Sequence, residues 1–126
     1  MKLDLDYRDY QPKGWPGVTI RIRPLETAAF QRLMKHVNLQ NGDEGKIKLS
    51  KSTLDFMNDS ELITVAASIL PSHVESIKGL EFRIGGKTVD ATVEDILKYA
   101  RTLPLVLDLL MRLFMASFLT ETETKN

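Results

Sequence analysis

The stretch LPLVLDLLMRLFMASFL, residues 103–119, constrains the fold more than any other part of the chain. A helix that is apolar around most of its circumference has to be covered on most sides. Pro104 suits a first helical turn, where its missing N–H would be unpaired anyway, so a helix is predicted from there to about residue 119. Leu105, Val106, Leu109, Leu110, Leu113, Phe114 and Met115 leave a narrow polar stripe of Asp108 and Arg112, spaced to pair at i,i+4. The run falls short of the roughly 20 residues that cross a bilayer, and two charges near its middle would be costly there. No membrane association is therefore expected. Two readings stay open: the helix is the centre of a core, or part of its surface is covered by a partner or a second copy. On the second reading Leu105, Leu109, Leu113, Phe114 and Met115 are candidate partner-binding residues. Trp15, the single tryptophan, joins them from the turn-rich YQPKGWPGV.

With 126 residues, 43% of them hydrophobic, the chain has material for one core. The expected organisation is a globular domain over residues 1–119 and a disordered tail, TETETKN, over 120–126, too poor in apolar residues to offset the entropy of ordering. Seventeen basic and seventeen acidic residues give zero formal net charge, so no global field draws the chain to nucleic acid. The absence of cysteine excludes disulfides and thiolate chemistry. The opening MKLDLDYRDY lacks a signal-peptide core, which points to an intracellular protein.

Alternation predicts strands at residues 2–8 and 18–23, the latter with Val18, Ile20 and Ile22 inward and Arg21 and Arg23 on a solvated face. Pro24 can open a helix with Phe30, Leu33, Met34 and Val37 on one face, ending at NLQNGDEGK, residues 38–46, read as a loop without calcium-loop spacing. SKSTLDFMNDSELITVAASILP holds one long helix or two short ones, with a fresh start suggested at Asn58 and Glu61 and an end at Pro71. SHVESIKG then reads as a connection. In LEFRIGGKTVD, Gly85-Gly86 between alternating residues predicts a two-residue hairpin turn, and Thr92 with Asp95 predicts a capping box on a helix over 93–101. Gly86-Lys87-Thr88 imitates the end of a phosphate-binding loop, but Glu81 stands where the first glycine is required. The expected fold class is α+β, mostly helical, with one small antiparallel sheet built from 2–8, 18–23 and the hairpin at 81–90.

Chemistry is sparsely signalled. His36 and His73 lack a second ligand at metal-binding spacing and are read as surface residues; no nucleophile elbow or dinucleotide fingerprint appears. No cofactor and no catalytic site is predicted.

The order of elements, with TIRIRPLETAAFQRLM, a middle helical block, GLEFRIGGKTVDATVEDIL and a closing helix ending SFLTETETKN, resembles the tail assembly chaperones of long-tailed bacteriophages and prophages. The resemblance implies a non-catalytic protein of the host bacterial cytoplasm that coats the helical tape measure protein and recruits tail tube subunits. It also implies that a C-terminal extension by translational frameshifting is common in such proteins, a junction that a polar tail would tolerate. Met34, Met57, Met111 and Met115 suit either core filling or adaptable contacts with a helical client. The competing classes are a small structural virion component, such as a head-tail joining protein, and a nucleic-acid-binding regulator using Arg21 and Arg23, against which the neutral charge argues.

Overall fold

The computed structural model describes residues 1–39, 47–49 and 52–117. The fold is α+β. A three-stranded antiparallel sheet is formed by β1 (Arg8–Tyr10), β2 (Thr19–Ile22) and β5 (Val74–Lys78), with β2 central. Two further strand pairs, β3 (Val37–Leu39) with β4 (Ile47–Leu49) and β6 (Glu81–Ile84) with β7 (Lys87–Asp90), stand as separate hairpins. The helices are α1 (Thr27–Met34), α2 (Thr53–Met57), α3 (Ser60–His73), α4 (Val93–Lys98) and α5 (Leu103–Met115), with a 3-10 turn at Ala100–Thr102 before α5.

Three strand expectations are corrected, and for the first two the register gives the reason. The first strand is residues 8–10, not 2–8. Its register sets Arg8 opposite Ile22, so extending it backwards would set Asp6 opposite Pro24, which has no N–H to give. The preceding residues instead curl locally: Asp4 accepts from the Asp6 N–H (3.0 Å) and pairs with Arg8 (3.0 Å), leaving Leu3 and Leu5 exposed. The segment read as a connection supplies β5. A bulge between Arg21 and Ile22 lets Val74 and Ile77, three residues apart, both pair with β2, so period-two alternation is lost. The hairpin at 81–90 does not join this sheet. Of the expected loop at 38–46, Asn38 and Leu39 belong to β3 and residues 40–46 lie outside the described residues, as does the tail at 120–126.

Helix boundaries follow the caps. The middle block is two helices, and the cap of the second lies one residue after Asn58, at Asp59, whose carboxylate accepts from the Leu62 N–H (3.0 Å). Pro71 lies inside the last turn of α3, which continues to His73. Thr92 and Asp95 form the expected reciprocal capping box at 3.2 and 3.0 Å.

α5 is the centre of the core. Leu105, Val106, Leu109, Leu110, Leu113 and Phe114 are fully buried against α1, α2, α3 and α4, in one cluster with Val18 and the β2 residues Ile20 and Ile22. Phe114 stacks on Phe30 of α1 with centroids 5.1 Å apart.

Candidate functional site

A groove of about 560 Å³ runs between the β6–β7 hairpin and the body. Its floor and walls are largely apolar and aromatic, from Trp15, Leu80, Phe82, Ile84, Tyr99 and Ala100; Glu81, Arg83 and Arg101 bring charge to it. Each part has a local cause. Trp15 is held by two successive turns, its N–H donating to Pro12 C=O (3.3 Å) and its C=O accepting from the Val18 N–H (3.1 Å). Tyr99 occupies the break between α4 and the 3-10 turn in extended geometry. Buried Thr102 fixes that break by donating its hydroxyl to the carbonyls of Ile96 (2.7 Å) and Tyr99 (3.0 Å). Phe82 meets Tyr99 edge-on, centroids 5.7 Å apart, which anchors the root of the hairpin. Beyond that contact the cover ends: Ile84, nearer the tip, is 47% exposed, and Val89, opposite Phe82 on β7, is 43% exposed. At the tip Gly85 and Gly86 both have positive φ, 59° and 78°, as a two-residue turn matched to strand twist demands.

A second cluster ties β1 to α5. The Tyr10 hydroxyl is buried beside Asp108 without closing a hydrogen bond of ordinary geometry, and the Arg112 guanidinium lies over the Tyr10 ring, 5.5 Å from its centroid. Arg112 therefore serves the ring instead of forming the direct i,i+4 ion pair with Asp108 expected from spacing. Burial, then the Asp108 charge, pushes the Tyr10 hydroxyl well above its ordinary pKa, with Arg112 opposing. Burial likewise raises Asp108, with Arg112 and Tyr10 pulling it back in part.

His73, read as a surface residue, is buried. Its Nδ1 lies 2.8 Å from Ile69 C=O and its Nε2 accepts from the Glu26 N–H at 3.2 Å. The neutral Nδ1–H tautomer satisfies both contacts, tying the end of α3 to the start of α1. A histidine with two backbone partners has a structural task that spacing in the sequence does not display.

The candidate contact residues divide. Trp15 is half-buried and lines the groove, and Met115 is 42% exposed at the end of α5. Leu105, Leu109, Leu113 and Phe114 are sealed in the core and reachable by a partner only if α5 left its place. Of the groove residues sequence reasoning marked Trp15 as a contact residue; those it missed include Phe82, Tyr99 and Arg101. Tyr99 falls off the apolar face of its helix, the one local signal that could have marked it.

Among the described residues, no group of three or more His, Asp or Glu is placed to hold a metal ion, and no helix is long and apolar enough to cross a membrane. Comparison with models of protein families, with curated proteins and with solved structures gave no match.

Proposed function

We propose that the protein is a non-catalytic assembly factor of the tail assembly chaperone kind, acting in the host cytoplasm, binding the tape measure protein and recruiting tail tube subunits. The observation that carries this reading is the groove beside β6. It is open, floored by aromatic and aliphatic side chains, and edged by charge, the composition of a seat for a polypeptide segment. Among the described residues no histidine lines it and Glu81, its one carboxylate, is exposed, so these residues bring no buried group to move a proton. An amphipathic client helix would place its apolar side against Trp15, Phe82 and Ile84, with Arg83 and Arg101 available to acidic residues beside it. The order of elements described above supports the same class.

The test is co-expression of the chain with the tape measure protein encoded in the same phage or prophage. Co-purification is expected, and Ile84→Asp, at an exposed position, should cut retention at least about tenfold, as for a contact residue at a protein interface. Failure of the tape measure protein to co-purify would overturn the reading. Recovery of the chain from purified particles by mass spectrometry would move it to the class of structural virion components.

A further inference from the structure

Among the described residues β6 pairs with β7 alone, which leaves it one free edge, and the groove runs along that edge. Five consecutive residues, Leu80 to Ile84, line the groove although their side chains alternate between faces, and no residue of β7 does; the wall is therefore the backbone edge of β6 remote from β7. The hydrogen-bonding phase of the hairpin says which groups that edge presents. Ala91 N–H donates to Leu80 C=O (2.9 Å), and Phe82 pairs with Val89 and Ile84 with Lys87. Hydrogen-bonded and non-hydrogen-bonded pairs alternate in an antiparallel ladder, so Leu80, Phe82 and Ile84 turn their backbone groups to β7. Glu81 and Arg83 turn theirs to the free edge, with which no other strand pairs among the described residues.

The strand is also complementary to itself. LEFRI reads apolar, acid, aromatic, base, apolar, so reversing it exchanges acid for base. We propose that β6 of one copy pairs antiparallel with β6 of a second copy about a two-fold axis at Phe82. In that register Glu81 lies opposite Arg83 of the second copy, twice by symmetry, and Leu80 lies opposite Ile84. The pleat agrees: the Glu81–Arg83 pairs are the ones whose backbone groups face each other and exchange hydrogen bonds, while the two Phe82 residues form the closer, non-hydrogen-bonded pair. Within a single hairpin Glu81 stands opposite Asp90, a like-charge pair. The second copy brings Arg83 to that acidic pair. It also places the exposed Ile84 tip beside Leu80, where the other copy's Trp15 and Tyr99 wall the groove, so each copy closes the other's groove. An isologous contact of this kind stops at a dimer. The inference deepens the groove reading, because the paired edge must be released before a client takes the groove, but its test needs no client.

Sedimentation of the pure full-length chain should show a monomer–dimer equilibrium. E81R sets arginine against arginine and R83E sets glutamate against glutamate, so each alone should dimerise roughly tenfold more weakly. An equimolar mixture of the two should regain wild-type association, because every cross-strand pair is again opposite in charge. In the wild-type chain, exchange of the Glu81 and Arg83 amide hydrogens should slow as concentration rises, which tests the edge without any variant. A wild-type monomer throughout, single reversals that dimerise as well as wild type, no recovery on mixing, or amides whose exchange ignores concentration would each overturn the pairing. Capture of the tape measure protein by a chain that stays monomeric would overturn the pairing alone; a dimer with no capture would overturn the client reading alone.

Discussion

α5 and the β6–β7 arm are the two elements most plainly written in the sequence, and the fold treats them in opposite ways. Leu105, Leu109, Leu110 and Leu113 are sealed at the centre of the molecule, whereas Ile84 and Val89 on the arm keep nearly half their surface in water. A local pattern specifies that an element forms; what covers it is decided by residues distant in sequence. The all-round apolar pattern of α5 is answered by four helices, the 3-10 turn and β4. Among the described residues the arm is covered at its root, by Tyr99 and the core around Ala91, and beyond that it carries a strand edge and an apolar face that no other described residue closes.

The sharpest way to break this comparison is to disturb both elements and read the melting curve. Leu109→Ala should cost about 2–5 kcal/mol, the transfer and cavity cost of a buried leucine, and Leu109→Asp should prevent folding. Ile84→Ala on the arm should change stability by less than about 0.5 kcal/mol. A Leu109→Asp chain that keeps its circular dichroism but loses association would show that α5 is an interface after all, and would reverse the contrast.

Glycine supplies a second, smaller contrast. Gly79, at the join between β5 and the arm, has φ 84°, and a Cβ there would lie 2.0 Å from the Gly17 carbonyl oxygen, a backbone atom that cannot swing aside. Gly79→Ala should therefore cost more than about 2 kcal/mol. Gly86 also has positive φ, but a Cβ there meets open space, so Gly86→Val should cost only the conformational strain, about 1–2 kcal/mol. Thermal unfolding of the two variants orders them; a Gly86→Val loss equal to the Gly79→Ala loss would mean that the turn is packed.

The same division explains what could be read in advance. The Gly-Gly turn and the Thr92–Asp95 box were legible because their partners are two or three residues apart. β5 was hidden by its bulge, and the start of β1 is set by Pro24, two residues past the end of the neighbouring strand, a fact about pairing and not about MKLDLDYR. Of the site, the sequence marked Trp15 by its rarity within a turn segment. It misdirected attention to Leu105, Leu109, Leu113 and Phe114, because an apolar stripe looks the same whether its own chain or a partner covers it. Tyr99 and Arg101 reach the groove only through the Thr102 hydrogen bonds that bend the chain between α4 and α5. Glu81 and Arg83 were visible as alternating polar residues, but their common edge emerges only from the hydrogen-bonding phase of the hairpin.

The smallest effect lies where the core meets its polar stripe, at Asp108. Burial raises its pKa, and Arg112 and Tyr10 only partly oppose that rise. Since the folded value lies above the unfolded one, the folded chain holds more protons between the two values, so stability falls as pH rises through that window. The penalty for burying the charge is fully present above the folded pKa and is relieved as pH falls to the ordinary carboxylate range. Asp108→Asn keeps the shape and removes the charge. It should therefore melt above wild type at pH 7, with the gap closing as pH is lowered towards about 4, where the unfolded carboxyl also takes up its proton. Tyr10 adds nothing in this range, because its phenol is protonated in both states; its raised pKa destabilises the fold only in alkali, where the unfolded tyrosine ionises first. An Asp108→Asn chain that melts below wild type at pH 7 would show that the Arg112 attraction outweighs burial, and that the polar stripe of α5 is held as firmly as its apolar faces.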